Sequence, residues 1–349
     1  MAQRTANVIG LGLIGGSIAA RLVSAGWRVH GSDPHPGRPE AAVERGITSA
    51  VGLNPDAEIS FVAVPVLQLG SEVAAVLAAT RGVVTDVGSV KGPLVASIDD
   101  ARFIGGHPMA GSELDGLDGA DATLFDGATW ILTPTAATPD HVFALTAGVA
   151  NLLGANVLAL SADDHDRLIA VVSHIPHLTA ATLMTLADQR SEEHASLLRM
   201  AAGGFRDMTR IASSKPGIWL DICRANRNAI VATLDEFIGG LSQLRDTVAK
   251  EDSSALEAML LRAREARSNL PARVRSIEDA VEVRIPIPDR AGSAAEIFTL
   301  AAELNVNLAN FEVVHSAEGD RGVAVVLVEQ GQVELLRGGL IARGFKPGR

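Results

Sequence analysis

His107 lies in the string Gly105-Gly106-His107-Pro108-Met109-Ala110-Gly111-Ser112-Glu113, directly after a short apolar run. An imidazole has an ordinary pKa near 6.5 and can exchange protons at neutral pH. A lone loop histidine is more often a surface or packing residue, but the glycines and proline here pin its backbone. A second polar string, Asp86-Val87-Gly88-Ser89-Val90-Lys91, closes another apolar run. Further along, Asp166, His174 and His177 are spaced so that Asp166 and His177 stand about three helical turns apart. They share a face if Pro176 does not bend the helix too far. Arg206 and Arg210 are an i,i+4 pair, which suits an anionic ligand or a partner such as Asp166. The same spacing also describes an ordinary solvated charge pair. Asp163, Asp164, His165 and Asp166, with His174 and His177, invite a metal reading. The acidic run equally suits a helix N-terminus, no HExxH spacing occurs, and no metal is expected.

The second chemical signal is at the other end. Gly10-Leu11-Gly12-Leu13-Ile14-Gly15 follows an apolar run and opens an Ala-rich helical pattern. In that context a GxGxxG string predicts a dinucleotide site. Gly10 permits the tight turn, Gly12 lets the backbone approach a pyrophosphate, and Gly15 lets helix and strand pack closely. The helix N-terminus offers N–H donors and partial positive charge to the phosphates. Leu13, Ile14, Val64 and Pro65 are counted with these glycines as cofactor-binding positions. Asp33 ends the second predicted strand, where a carboxylate would take the ribose hydroxyls of NAD and repel the extra phosphate of NADP. Arg38, with His35, keeps NADP open, since a nearby arginine can accept that phosphate.

These residues need a scaffold, and the chain is long enough for two or three domains. Residues 1–160 alternate Val/Ile-rich runs with helical patterns, which predicts a doubly wound parallel sheet of the Rossmann type. The runs are 7–10, 27–32, 59–64, 82–87, 103–106, 129–132 and 156–160, with helices over 17–25, 66–79 and 139–153. Gly26 and Gly154 sit where helix C-caps are expected. Residues 161–277 contain no convincing strand and read as an all-helical domain for substrate binding and dimerisation. Within it Pro176 interrupts an apolar helix, and Ser214 caps a helix with Pro216 in its first turn. Residues 280–349 read strand, helix, strand, strand, helix, with a short last strand at 344–347: a ferredoxin-like α+β unit.

Composition narrows the function. A net charge of −11 argues against a nucleic-acid groove, although a pocket can still be locally positive. Cys223 is the single cysteine, so no intramolecular disulfide can form, and a reducing, cytoplasmic setting is expected. The glycines near the N-terminus favour a strand–turn–helix over a signal peptide. No uninterrupted apolar stretch looks long enough to cross a membrane.

Five strings together resemble the prephenate and arogenate dehydrogenases: GLGLIGGS at Gly10–Ser17, DVGSVK at Asp86–Lys91, GGHPMAGSE at Gly105–Glu113, SHIPH at Ser173–His177 and GFRDMTRIASSKPGIW at Gly204–Trp219. The resemblance implies NAD-dependent oxidative decarboxylation of prephenate to 4-hydroxyphenylpyruvate in tyrosine biosynthesis. It implies that His107 takes the ring-hydroxyl proton as hydride leaves the same carbon, and that Ser89 orients that hydroxyl and His107. Arg210 would hold a substrate carboxylate in a bidentate pair. Ser112, Glu113, His177 and Trp219 would line the pocket, Glu113 gating entry, with His174 behind them and Asp166 paired to Arg206. Some relatives have Lys in place of Arg206. The C-terminal unit resembles an ACT domain, which implies an amino-acid effector such as tyrosine near Asp289, Arg290, Gly292, Asn305 and Asn307. A homodimer is expected. The nearest rival substrate is arogenate. More distant rivals are a β-hydroxyacid dehydrogenase, an imino-acid reductase and a nucleotide-sensing regulator.

Overall fold

The computed structural model describes residues 3–112, 114–194, 196–268, 280–288, 292–315 and 321–348. They form two compact units that divide between Glu257 and Ala258.

The first unit begins with β1 (Thr5–Ile9), α1 (Leu13–Ser24), β2 (Arg28–Ser32), α2 (Arg38–Glu44), β3 (Ala50–Val51), β4 (Ile59–Val62), α3 (Leu69–Ala79), β5 (Val83–Asp86), α4 (Gly92–Ser97), β6 (Phe103–Pro108), β7 (Thr129–Thr133), α5 (Asp140–Leu152) and β8 (Asn156–Ala159). The strands make one sheet in the order β3-β2-β1-β4-β5-β6-β7-β8. Alternation along the strands builds a core on both faces, as a doubly wound sheet requires. Ile59 and Phe61 of β4 join Ile18, Leu22 and Trp130 on one side. Val62 of the same strand packs with Leu69, Val73 and Phe103 on the other.

The sheet is not wholly parallel, which corrects the expectation. β6 and β7 pair antiparallel, with His107 opposite Ile131. A parallel neighbour needs a crossover element, usually a helix. Among its described residues, the connection from β6 to β7 holds only a short 3₁₀ turn, Gly116–Gly119. The Met109 N–H donates to Thr129 O at 2.8 Å, beside the pair.

Helices follow: α6 (Ala162–Ile169), α7 (Ile175–Glu193), α8 (Gly203–Thr209), α9 (Pro216–Ala225), α10 (Arg227–Ala249) and α11 (Ser253–Ser268). Ser161 caps α6 by accepting the Asp164 N–H at 3.1 Å. Pro176 does not break the run. It has no N–H for the Val172 carbonyl, and the chain widens into a π turn over Ala170–His174 before continuing as α7. Ser214 does not cap α9: its hydroxyl donates to Ile211 O at 2.8 Å, and Lys215 occupies the cap position. The run Ala162–Ser191 reaches a mean hydropathy of 1.4, so by length and composition one helix could cross a bilayer, contrary to the expectation from sequence. The core helix of a water-exposed protein passes the same test. This one carries the buried polar side chains His165, Asp166, His174 and His177.

In the second unit β9 (Ala280–Pro288), α12 (Ser293–Glu303), β10 (Leu308–His315), β11 (Arg321–Glu329) and α13 (Val333–Ala342) form a three-stranded antiparallel sheet, order β10-β11-β9, under two helices. Val283, Ile285, Ile297, Leu300, Val326 and Leu336 make its core. The last strand expected at 344–347 does not form. A single bond, Gly348 N–H to Arg284 O at 2.7 Å, lays the end of the chain beside β9.

Candidate active site

His107 is the penultimate residue of β6, at the carboxyl edge of the sheet, and is 9% exposed. Its backbone is held by a buried ion pair. Lys91 and Asp86 are fully buried and bonded to each other. Lys91 Nζ also donates to Gly106 O at 2.9 Å, and Asp86 Oδ1 accepts the Gly106 N–H at 3.1 Å. Asp86 Oδ2 accepts the Gly88 N–H at 2.8 Å. One lysine–aspartate pair therefore grips both peptide groups of the residue before His107. Gly106 has no room for a side chain, since a Cβ there would meet Asp86 O at 2.7 Å. Burial lowers the Lys91 ammonium below its ordinary range, and the Asp86 carboxylate works against that shift.

The His107 ring faces α6. Its Nδ1 lies 2.8 Å from His165 Nε2, and His165 Nδ1 lies 2.8 Å from Asp166 Oδ1. Asp166 Oδ1 also accepts the Lys91 N–H at 2.8 Å, and Oδ2 accepts the Gly92 N–H at 2.7 Å. The carboxylate thus caps the N-terminus of α4, where negative charge is favoured. Asn226, at the start of α10, donates from Nδ2 to Asp166 O at 2.8 Å, and the same nitrogen lies 3.3 Å from His174 Nδ1. A carbonyl can only accept, so the Asn226 amide nitrogen must face that way, and His174 Nδ1 is an acceptor. Neutral His174 then carries its proton on Nε2, which is buried without a partner among the described residues. Trp219 of α9 meets His174 edge-on and stacks on His177 at 3.5 Å and 8°.

Burial pushes His107 well below 6.5, helped by His165, Lys91 and His174. Burial lowers His174 to about 4, against the pull of Asp166. Burial lowers His177 as well. The cluster therefore offers neutral imidazoles at neutral pH, one suited to accepting a proton and one holding an unused donor.

His107, Asp166, His174, His177 and Trp219 come together as one contact network. Ser89 is half-buried in the loop after β5, two residues before Lys91. Ser112 is exposed and accepts the Leu114 N–H at 3.2 Å through Oγ. Glu113 lies outside the described residues. Arg206 and Arg210 are exposed on α8 and the turn after it. The expected Asp166–Arg206 pair is not formed: Asp166 is occupied by Lys91, Gly92 and His165, and Arg206 Nε donates to Ala201 O at 3.2 Å. Sequence reasoning named His165 only in the metal reading, and missed its contact with His107, as well as Asn226 and the roles of Asp86 and Lys91. The DVGSVK string displayed the last two, but nothing in it tells a buried pair from surface charges.

The glycine loop fits a dinucleotide. Gly10 has φ +92°, and a Cβ on Gly15 would strike Gly10 O at 1.9 Å. Gly12 faces open space at the start of α1, whose first turn has no side-chain cap. Val64 and Pro65 follow β4 on the adjacent strand end. Asp33 is 3% exposed at its side chain and already accepts four hydrogen bonds from three donors. Leu11 N–H and His35 N–H each donate at 2.8 Å, and Arg38 Nη1 reaches both oxygens at 3.0 Å.

Residues 18–159 match the sequence profile of the prephenate dehydrogenase nucleotide-binding domain, and residues 161–262 match that of its dimerization domain. The chain is 32% identical to the prephenate dehydrogenase of Bacillus subtilis over 335 residues, 91% of this chain and 90% of the relative. The chain belongs to the prephenate dehydrogenase family. It is an NAD-dependent oxidoreductase. A second relative, the prephenate dehydrogenase of Lactococcus lactis subsp. cremoris, is 31% identical over 88% of this chain and 90% of its own. Among solved structures, prephenate dehydrogenase from A. aeolicus, in complex with hydroxyphenyl propionate and NAD+, superposes with TM-score 0.73 at 29% identity, over 78% of this chain and 99% of that one. Synechocystis arogenate dehydrogenase superposes with TM-score 0.69 at 28% identity, over 76% and 100%.

Proposed function

We propose that this chain catalyses oxidative decarboxylation of prephenate to 4-hydroxyphenylpyruvate, with His107 as the base. The observation that carries the assignment of the base is a neutral, buried imidazole at the carboxyl edge of the sheet, where open α/β sheets bind ligands. His107 accepts the ring-hydroxyl proton, and Ser89 orients that hydroxyl. NAD, when bound, would supply the acceptor for the hydride that leaves the same carbon. Loss of the ring carboxylate as CO₂ then leaves an aromatic product, so the protein need only position its ligands and move one proton. Gly10, Gly12, Leu13, Ile14, Gly15, Val64 and Pro65 hold the cofactor, with Asp33 on its ribose. Arg210 and Arg206 supply the cationic side of the pocket for substrate carboxylates, with Ser112, Glu113, His177 and Trp219 as further lining. The unpartnered Nε2–H of His174 is a donor of the kind such a pocket offers an anion. Arogenate is the second reading, favoured by the likeness to an arogenate dehydrogenase.

Initial rates with prephenate and arogenate, each with NAD and NADP, test this. Turnover with prephenate and NAD is expected, and no turnover with any pair would overturn it. His107→Asn is expected to lower kcat by about 10²–10⁴-fold while leaving NAD affinity unchanged.

Two further readings concern assembly and control. A homodimer through the helical region is supported by the dimerization-domain match and by α10, which buries only Ile230. Phe237, Ile238 and Leu241 on α10, and Leu168, Val171 and Val172 on the α6 run, are exposed apolar side chains. The βαββα order and the β10-β11-β9 sheet support an ACT-like unit that binds an amino acid such as tyrosine. Gly292 and Asn305 both take positive φ, at the start and just past the end of α12. Gln332 clips the backbone at Asn305 and Asn307. Asp289 and Arg290 lie outside the described residues. Unchanged kinetics under saturating tyrosine would remove the effector reading.

A further inference from the structure

The chain of contacts from Asp166 to His107 determines which nitrogen of His107 carries a proton. The Asp166 carboxylate is acceptor-only, and two backbone N–H groups already point at it. His165 Nδ1, at 2.8 Å from Oδ1, must therefore be the donor of that bond. A neutral ring that donates at Nδ1 accepts at Nε2. His165 Nε2 in turn stands 2.8 Å from His107 Nδ1, so that nitrogen must bear the hydrogen. The lone pair of His107 is left on Nε2, which bonds to none of the described residues.

His165 is fully buried, and its two ring nitrogens are both occupied by this chain of bonds. Packing alone does not account for its position: an apolar ring would fill the same space but leave His107 Nδ1 without its acceptor and Asp166 with one donor fewer. We infer that His165 is a positioning residue that holds His107 in the Nδ1–H tautomer, leaving Nε2 as the proton-accepting atom. The inference rests on the proposed role of His107 as base. When His107 accepts a proton at Nε2 it becomes a donor at both nitrogens, and its Nδ1–H···Nε2 bond to His165 becomes charge-assisted. The Asp166 carboxylate then faces that positive charge across the His165 ring. No proton has to pass along the chain for this to work.

The test uses the full-length chain labelled with ¹⁵N-histidine, without substrate. Long-range ¹H–¹⁵N spectra at pH 7.5 report the tautomer, and the His107 signals are assigned by their loss in His107→Asn. Wild type is expected to show His107 protonated on Nδ1 only. His165→Phe removes the acceptor and is expected to produce a mixture of tautomers. It should also lower kcat at least about 10-fold, with the Kd for NAD unchanged. His165→Gln places an amide oxygen where Nε2 stood, and should restore both the Nδ1–H form and most of kcat. A wild-type His107 protonated on Nε2 would overturn the inference. So would a folded His165→Phe protein that keeps the wild-type tautomer, whether or not its turnover falls. A wild-type chain that shows the Nδ1–H form but turns over neither prephenate nor arogenate would sink the functional reading and leave the tautomer assignment standing.

Discussion

Asp33 illustrates what a single carboxylate can and cannot do. Each oxygen already receives two donors, so a ribose diol can bind only if one of them leaves. Leu11 and His35 donate from the backbone; only the Arg38 side chain, 30% exposed, is free to turn away. In the proposed cofactor site Arg38→Ala is therefore expected to tighten NAD and weaken NADP, each by about 2- to 10-fold, the scale of a half-exposed ion pair. Fluorescence titration of both nucleotides checks this, and equal changes for the two would count against it. The histidines make a pH prediction. His107 and His174 both have folded pKa values below 6.5, so below that pH the unfolded chain binds protons that the folded chain does not. The stability they confer is complete above 6.5 and is lost as pH falls toward about 4, the value for His174. The groups facing them are His165, Lys91 and Asp166. Thermal unfolding of wild type and His174→Gln from pH 7.5 to 4.5 should show the variant gaining on wild type as pH falls. The acid limb of kcat/KM is expected below 6.5 for the same reason.

At the scale of elements, one ion pair ties the end of β5, the loop that carries Ser89 and the end of β6 into a rigid unit. Lys91→Met leaves the Asp86 carboxylate buried with two N–H donors and no cation. Breaking a buried pair from one side costs about 3–5 kcal/mol, and urea unfolding should show a loss of that size. Asp86→Asn in the same chain is expected to recover part of it, since the charge without a partner is then gone. The π turn before α7 has a comparable place. It absorbs the missing N–H of Pro176 and keeps α6 and α7 as one run, so that Asp166, His174 and His177 stay in one network.

For the whole molecule, the helical region exposes apolar side chains that the proposed dimer would cover. Ile238 and Leu241 are 56% and 48% exposed on a helix of which only Ile230 is buried. Ile238→Glu with Leu241→Glu should shift a dimer toward monomer in sedimentation velocity, with the NAD site unaffected. A wild-type chain that sediments as a monomer at micromolar concentration would refute the dimer.

Much of this was legible in the residues themselves. Strands buried on both faces carry apolar runs, so β1, β4 and β5 stand out. The glycines of the first turn are placed by rules of φ and close approach that hold along a few residues. His107, Ser89 and the SHIPH string could be singled out because their neighbours in the chain are themselves unusual. What tertiary structure decided is which groups meet. The direction of β7 depends on the absence of a crossover element across 109–128, a matter of packing rather than composition. Asp166 reads as a partner for Arg206 by helical spacing, yet it caps α4 from 75 residues away. His165 looked like one more polar residue in an acidic helix start. Its meaning comes from His107, 58 positions earlier. Sequence records local conformational preference well because that preference arises within one turn or one strand. A hydrogen-bond chain through a buried site arises between elements, and only their packed positions specify it.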